Sequence, residues 1–307
     1  MNPYIISENI PPDLEPDESF TLWRYMSFSS LCEILMNDYI PLISIQHFSD
    51  KSEGRILKEI LSKLPNANKS AIEQIMQIYK ETTYVSSWYN AKNENAAMWD
   101  RYTHKGEGVA VKTNAKLLLY SIKDAQKQWV LGHSGPVPRG ITLPTHIIIK
   151  KIKYINYQPS DFEATQEQLQ QGNDKLCFFY KMDDYEDERE VRILTSRLGE
   201  VHQLYQTGMP SNYQEIIESL LQPVYQQVSS QGYELSEHFS PFQSSIPLYI
   251  ESSDNLIKKI VVSPHSHSQF IKTVRQTIED INTCRESKGL PIFQVSKVIE
   301  SRRKDWV

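Results

Sequence analysis

The chain has 307 residues, which suits one large domain or two modest ones and is ample for a hydrophobic core. Hydrophobic residues make up 39% and charged residues 23%, as in ordinary globular proteins, which excludes a disordered or fibrous chain. The chain has 33 lysines and arginines against 38 acidic residues, so its net charge of -5 excludes a global basic field for nucleic acid and leaves only a local basic groove open.

The order of the predicted elements indicates one α+β domain over residues 20–307, because strands and helices mix without a regular βαβ repeat. Residues 1–19 hold four prolines and no signal-like apolar segment, and they predict an irregular leader. The predicted strands are Phe20–Met26, Tyr39–Ile45, Thr82–Tyr89, Gly108–Lys112, a strand pair over His146–Tyr157, Glu190–Thr195, Ile246–Ile250, Ile257–Ser263 and Phe293–Ile299. The predicted helices are Leu31–Asn37 with Ser29 or Ser30 as its cap, Arg55–Leu64, Ser70–Lys80, Asn95–Tyr102, Lys116–Ile122, Asp161–Gln171, Lys175–Met182, Tyr213–Gln231 and Gln269–Lys288. A polar, Gln- and Ser-rich segment at about 199–245 predicts an insertion or lid.

Several classes of site are excluded or not predicted. The three cysteines include no CxxC, so we expect neither a disulfide framework nor a structural zinc site, which suits a reducing cytoplasm. GxxxxGK[ST], GxGxxG, GxSxG and HExxH are absent, which excludes P-loop NTPases, typical Rossmann domains and familiar hydrolase signatures. His265 and His267 have no third ligand near them in the sequence, so no metal site is predicted. The chain has no run of 18 apolar residues, so no membrane partner is expected.

Three patterns allow both a functional and a purely structural interpretation. Arg24 lies within the apolar strand LWRYM and is either an anion clamp or half of a structural ion pair. Ser86 and Ser87 either orient a ligand or are ordinary strand residues, and we favour the second interpretation. Trp99 and Tyr102 share a helix face and either stack on a planar ring or pack in the core, which we favour.

The densest charge pattern is YEDEREVRIL, residues 185–194. In an extended strand Glu188, Glu190 and Arg192 share one face. Carboxylates beside an arginine on a half-buried strand can stabilise a developing cation or act as bases. The alternative is a solvated edge with cross-strand salt bridges, and the clustering of charge next to an apolar strand favours function.

Four segments resemble the DUF2971 family, a bacterial family whose label names no reaction. They are LWRYMSFSSLCEILMNDYIPLISIQHFSD, SSWYNAKNENAAMWDRYTHKGEGVAV, YEDEREVRIL and LIKKIVVSPHS, and they span most of the chain, from Leu22 to Ser266. The family's loop after the second strand usually reads FNDPxE. Here it reads FSDKSE, with Ser49 in the place of the usual Asn.

The ordered set Arg24, Ser86/Ser87 and Glu188-x-Glu190 is similar, more distantly, to the R–S–ExE pattern of ADP-ribosyltransferases. The resemblance implies a mixed, split β-sheet core around a cleft with flanking helices, and NAD as substrate. It implies that Glu190 contacts the ribose 2′-hydroxyl and that Glu188 readies the acceptor. Trp88 departs from the usual STS triplet. The NAD-binding residues expected from this resemblance and the patterns above are Arg24, Tyr25, Ser86, Ser87, Trp99, Tyr102 and Arg192.

We therefore expect an NAD-dependent ADP-ribosyltransferase or NAD glycohydrolase whose acceptor is a protein, a nucleic acid or water. The resemblance implies a cytoplasmic bacterial toxin or antiviral (phage-defence) effector, with an antitoxin as a protein partner. In this hypothesis Arg24 and Glu190 meet across one pocket and hold opposite ends of the dinucleotide. Two alternatives stay open: a noncatalytic nucleotide-binding or interaction module of a defence system, and a metal-dependent nuclease that uses Asp50, Glu188 and Glu190.

Overall fold

The computed structural model describes residues 5–6, 21–50, 52–63, 69–103, 106–122, 146–156, 158, 174–197 and 243–302. The strands are β1 Ile5–Ile6, β2 Thr21–Ser27, β3 Tyr39–Ser44, β4 Thr83–Asn90, β5 Gly108–Asn114, β6 His146–Lys151, β7 Lys153–Ile155, β8 Tyr180–Met182, β9 Glu190–Ser196, β10 Ser245–Tyr249, β11 Lys259–Val262 and β12 Val298–Glu300. The α-helices are α1 Phe28–Asn37, α2 Arg55–Ser62, α3 Lys69–Thr82, α4 Ala96–Tyr102, α5 over residues 115–122, α6 Ser253–Leu256 and α7 Ser268–Ser287. Short 3-10 helices cover Ile45–His47, Asp174–Phe179, Asp183–Glu188 and Val295–Lys297.

Ten of the described strands form one mixed sheet. Its main order is β1-β6-β9-β4-β2-β5-β11-β12, while β3 joins through β4 and β10 joins through β3. The β1–β6 and β11–β12 pairs are parallel, and the other neighbours in this sheet are antiparallel. β7 and β8 form a separate parallel pair. The predicted α+β class is confirmed, because mixed strand directions replace the all-parallel sheet of an alternating α/β fold.

The main sheet is split along one edge of β4. β2 pairs with the last residues of β4, with Trp23 opposite Tyr89, and β3 pairs with its first residues, with Ile43 opposite Val85. Between these two contacts, Ser86–Trp88 pair with no described strand on that edge, although β9 runs along the other edge. The split sheet expected from the sequence is therefore present, and it falls on the serine segment.

Side chains alternate along each strand, so the central strands present two faces. The α7 face is covered by α1 and α7, and it carries Leu22, Met26, Trp88 and Val191. The α4 face is covered by α4, and it carries Trp23, Tyr25 and Tyr89. Farther along β4 and β9 on the same side as the α4 face, α2 and α3 cover a third cluster that includes Val85 and Leu194.

Local chemistry sets where the helices near the site begin. Asn95 caps α4, since its side-chain oxygen accepts from the backbone N–H of Ala97 at 2.8 Å. Gly54 starts α2 with a φ of 76°, and a Cβ there would lie 2.8 Å from Phe178, so the position requires glycine. This turn fixes Glu53 at the entry to α2. Among the described residues, no helix has both the length and the apolar character needed to cross a membrane.

Several element predictions need correction. Ser27 caps α1, in place of Ser29 or Ser30, because its hydroxyl accepts from the N–H of Ser30. The helix predicted over Lys175–Met182 is a 3-10 turn followed by β8. The strand pair predicted over His146–Tyr157 is β6 and β7, which pair with β9 and β8 and not with each other.

Further differences lie near the ends of the chain. The last strand covers only Val298–Glu300, and Ile5–Ile6 within the expected irregular leader form a strand parallel to β6. The other predicted elements within the described residues are present with similar bounds. The helices predicted at 161–171 and 213–231, and nearly all of the segment 199–245, lie outside the described residues.

Candidate functional site

A cluster of buried charges lies beside β9, on the side of the sheet that α2 and α4 cover. Its members are Glu53, Lys181, Glu188, Glu190 and Arg192, and each is at most 6% exposed. Glu190 and Arg192 are two positions apart on β9 and therefore share one face. Lys181 lies on β8, and Glu188 ends the 3-10 helix before β9. Three carboxylates and two cations therefore share one interior region, where each charge needs a partner.

Arg192 is the centre of this cluster. Its two terminal nitrogens donate to the two carboxylate oxygens of Glu53 at 3.0 and 2.8 Å, a bidentate pair with no exposure on either side chain. Its Nε donates to Glu190 at 2.7 Å, and Nη1 also donates to the carbonyl of Phe178 at 2.6 Å. Burial alone would lower the pKa of Arg192, but Glu190 and Glu53 raise it well above the ordinary value. The guanidinium thus joins β9 to the start of α2.

Glu190 has every acceptor position occupied. Its Oε1 accepts from Ser87 Oγ at 2.5 Å and from Arg192 Nε, and its Oε2 accepts from Arg192 Nη2 at 3.1 Å and from Lys181 Nζ at 2.8 Å. A carboxylate offers about four acceptor positions, so none is left for a ligand. Burial alone would raise the pKa of Glu190, but Arg192 and Lys181 lower it to about 2. The geometry makes Glu190 a fixed internal anion.

Glu188 differs from Glu190 because it lies at the edge of the cluster. Its Oε2 accepts from Lys181 Nζ at 2.9 Å, and its Oε1 accepts from Tyr102 Oη at 2.7 Å and from Arg101 Nη1 at 3.1 Å. Among the described residues no donor takes the fourth acceptor position. Tyr102 is 46% exposed, and Arg101 reaches Glu188 from α4 while also pairing with Asp187 at the surface. Burial and Glu188 raise the pKa of Tyr102, so its hydroxyl stays a donor.

Arg24 lies at the split in the sheet. Its Nη2 donates to the carbonyl of Pro41 on β3 at 3.2 Å, and its guanidinium lies 5.8 Å from the ring of Trp88. Its Nη1 is buried and has no hydrogen-bond partner among the described residues. Burial lowers the pKa of Arg24 to about 10, although the charge of Glu33 opposes this. Within the described part of the chain, no carboxylate forms an ion pair with Arg24.

The structure divides the predicted site residues between the two sides of the sheet. Arg24 lies on the α7 face together with Leu22 and Met26, which are two positions away on either side along β2. On the same face, Ser86 Oγ accepts from Trp88 Nε1. Glu190 lies opposite Tyr89, and Arg192 lies opposite Ser87, on the other side. The expectation that Arg24 and Glu190 share one pocket is therefore wrong, because the sheet itself separates their side chains.

The two predicted aromatic residues of α4 also lie in different surroundings. Trp99 is 1% exposed and packs edge-to-face on Tyr25 with ring centroids 4.9 Å apart, so both rings belong to the α4-face core. Tyr25 Oη accepts from the N–H of Asn95, which helps to hold the start of α4. Tyr102 alone of the pair reaches the charge cluster. The core interpretation thus describes Trp99, and a ligand-facing role stays a prediction for Tyr102.

The sequence analysis did not identify Glu53, Arg101 or Lys181 as members of the site. Glu53 lies in the FSDKSE loop and Arg101 lies in AMWDRY, and both segments carry the family resemblance. Lys181 had no such signal. Asp50, named for the nuclease alternative, accepts from Ser52 through Oδ1. Within the described residues no group of three or more His, Cys, Asp or Glu side chains gathers to hold a metal, so the donor arrangement does not favour that alternative.

No family model matches the chain, and no curated protein matches its sequence. Among solved structures, "Thermus sp. 2.9 DarT in complex with ADP-ribosylated ssDNA" is similar with a TM-score of 0.31 and 10% identity, over 95% of this chain and 97% of that chain. A similarity of this size carries no argument about function. The DUF2971 and ADP-ribosyltransferase resemblances therefore stay predictions.

Proposed function

We propose that this chain is an NAD-consuming enzyme, an ADP-ribosyltransferase or NAD glycohydrolase, with Glu188 as its catalytic carboxylate. The observation that carries the proposal is the place of Glu188, which three donors hold at the edge of a buried charge cluster, with one acceptor position that no described residue uses. Glu190 keeps no such position, so we assign it a positioning role through Lys181. The ExE resemblance instead implied that Glu190 contacts the ribose 2′-hydroxyl and that Glu188 readies the acceptor.

The chemistry of NAD cleavage suits a fixed carboxylate. Breaking the bond between nicotinamide and ribose leaves positive charge on the ribose, and a carboxylate that is already held in place stabilises that charge without reorganisation. When the acceptor attacks, the carboxylate accepts its proton. The products are nicotinamide, the ADP-ribosylated acceptor and one proton, or free ADP-ribose when the acceptor is water.

Two exposed side chains beside Glu188 are suited to the rest of NAD. The ring of Tyr102 offers a stacking surface for nicotinamide or adenine. Arg101, 41% exposed, carries the planar donors that a diphosphate requires, a role that the sequence assigned to Arg24. Its pair with Asp187 lies at the surface, where an ion pair contributes about 0–1 kcal/mol, so a diphosphate can replace it.

The test is release of nicotinamide from NAD by the purified protein, with water, protein or single-stranded nucleic acid as acceptor. Glu188→Gln should lower the rate at least about 100-fold while the far-UV circular dichroism stays that of the wild type. Asp184→Asn is the matched control, because Asp184 is an exposed acid of the same 3-10 helix. Wild-type protein that binds NAD and releases no nicotinamide with any of these acceptors would support the noncatalytic alternative and refute the proposal.

The acceptor and the biological setting follow only from the resemblance. On the same ground we propose a toxin or antiviral-defence role, an antitoxin partner and a cytoplasmic location. Identifying the modified molecule by mass spectrometry after incubation with NAD would define the acceptor. An unmodified set of candidate acceptors together with free ADP-ribose would assign the glycohydrolase activity.

A further inference from the structure

A row of side chains crosses five strands on the α4 face of the sheet. The pairing register places Lys259 opposite Lys112, Lys112 opposite Trp23, Trp23 opposite Tyr89, and Tyr89 opposite Glu190. Neighbouring strands lie about 4.8 Å apart, so the row is about 19 Å long. One end of the row is therefore the charge cluster, and the other end is basic.

The basic end of the row gathers four cations. Lys258, Lys259 and Arg302 are exposed and lie close enough to Lys112 for their charges to act on it. Within the described residues none of the four forms an ion pair, and the nearby carboxylate of Glu94 instead accepts from Trp99 and Ser301. Like charges directly opposite each other on a sheet destabilise it. The Lys112–Lys259 pair thus has an energetic cost, and no ion pair among the described residues offsets it.

Lys112 is held in place by the aromatic side chain beside it. Its Nζ lies 4.9 Å from the ring centroid of Trp23, as in a cation–π contact. Trp23 Nε1 in turn donates to the carbonyl of Ala91 at 2.9 Å, which fixes the loop that leads to α4. A lysine held this way loses less conformational freedom when it binds an anion.

A pocket of about 400 Å³ lies on the same face, between that loop and the residue before β9. Its lining includes Tyr89, Asn93, the carboxylate of Glu94, and the exposed cations Lys92 and Arg189. Asn95 also lines it, but its side-chain amide already bonds to Tyr89 and Ala97. The amide of Asn93 and the two cations suit the polar edge of an unstacked base, while Tyr89, 8% exposed, belongs to the core behind the pocket. A base within a duplex is not available to such a pocket, since it is stacked and paired.

We infer that Lys112, Lys258, Lys259 and Arg302 form a binding surface for the phosphate backbone of single-stranded nucleic acid, whose strand runs toward the pocket at Tyr89 and Arg189. The inference does not rest on NAD turnover, because it concerns binding alone. The negative net charge of the chain does not oppose it, since the other three cations lie close enough to Lys112 for their charges to act on it.

The experiment measures fluorescence anisotropy of a labelled 15-nucleotide oligothymidylate with the full chain, without NAD. Four phosphate contacts predict that affinity falls about 50-fold between 50 and 200 mM salt, and the double variant Lys112→Gln/Lys259→Gln, with two contacts left, should show a fall of only about 7-fold. The variant should also bind more weakly than the wild type at 50 mM salt. Its unfolding midpoint should stay close to that of the wild type, because removal of the like-charge pair offsets loss of the contact between Lys112 and Trp23.

The control is Lys272→Gln/Lys288→Gln, which removes the same charge from exposed positions at α7 and its end. It should keep the wild-type affinity and salt dependence. Equal affinity of the wild type and the Lys112→Gln/Lys259→Gln variant would overturn the inference. So would wild-type protein that sediments with vesicles containing phosphatidylserine and does not bind the oligonucleotide, because the surface would then be a membrane site.

Discussion

Arg192 and Glu53 form a bidentate ion pair in which neither side chain is exposed to solvent, although 139 positions separate them in the chain. The pair joins the strand that starts at Glu190 to the turn that starts α2. It also sets the position of the remaining charges, because Arg192 holds Glu190 and Glu190 holds Lys181. The catalytic proposal for Glu188 therefore depends on contacts that lie deeper than Glu188 itself.

Removing Arg192 should destabilise the fold strongly. Arg192→Met keeps the volume of the side chain but leaves Glu53 and Glu190 buried with Lys181 as their nearest cation, and the expected loss is about 3–5 kcal/mol in the free energy of unfolding. Urea denaturation followed by circular dichroism measures it. In the double variant Glu53→Gln/Arg192→Met, the loss should be smaller than the sum of the two single losses. Additive losses would contradict the pair.

The charge cluster should make stability depend on acid pH. Arg192 and Lys181 outweigh burial and lower the pKa of Glu190 from 4.5 to about 2. Because the folded pKa is below the unfolded one, the stabilisation is complete above pH 4.5 and is lost as the pH falls through 2. For the wild type, the urea midpoint measured between pH 2 and pH 7 should decrease as the pH falls from 4.5 to 2. Glu190→Gln, less stable at pH 7, should show a shallower fall, and parallel curves would contradict the assignment.

The turn at Gly54 should tolerate no side chain. Gly54→Ala must adopt a positive φ, at a cost of about 1–2 kcal/mol, and must also move the ring of Phe178. Gly289→Ala is the control, because its φ is 68° and no atom lies within 4 Å of the added methyl. The loss of unfolding free energy should be larger at Gly54 by about 1–3 kcal/mol. Equal losses would mean that packing against Phe178 does not constrain the turn.

Tyr102 should matter to the reaction more than to the fold. Tyr102→Phe removes the donor to Glu188 Oε1 and keeps the exposed ring. A hydrogen bond to a charged group contributes about 1.5–3 kcal/mol, so the rate of nicotinamide release should fall about 10- to 100-fold. Tyr120→Phe, at another half-exposed tyrosine, should leave the rate unchanged. Equal rates for Tyr102→Phe and the wild type would remove Tyr102 from the site.

Local patterns predicted much of the fold. Apolar spacing located most helices and strands, and alternation on β9 correctly placed Glu190 and Arg192 on one side. Glu188 reaches the same cluster by a different route, since it ends a 3-10 helix and Arg189 takes a left-handed conformation with a φ of 40°. The three side chains therefore converge as predicted, but Glu188 does so through the 3-10 helix and the turn at Arg189 and not through strand alternation.

The side of the sheet on which a residue lies depends on long-range pairing. Arg24 and Glu190 each fit a strand pattern, but only the register between β2, β4 and β9 shows that they point to opposite faces. The same limit applies to ion pairs, because nothing near Arg192 in the sequence identifies Glu53 as its partner. A single sequence therefore predicts the chemistry of the charged strand better than the shape of the site around it.

The central claim is that the carboxylate at the cluster edge acts in catalysis while the buried one positions it. The most direct test is the rate of nicotinamide release by Glu188→Gln, measured under conditions where circular dichroism shows the variant to be folded. The account predicts a loss of at least about 100-fold relative to the wild type. A Glu188→Gln rate within twofold of the wild-type rate would contradict it, most directly if the separate variant Glu190→Gln is inactive yet equally well folded.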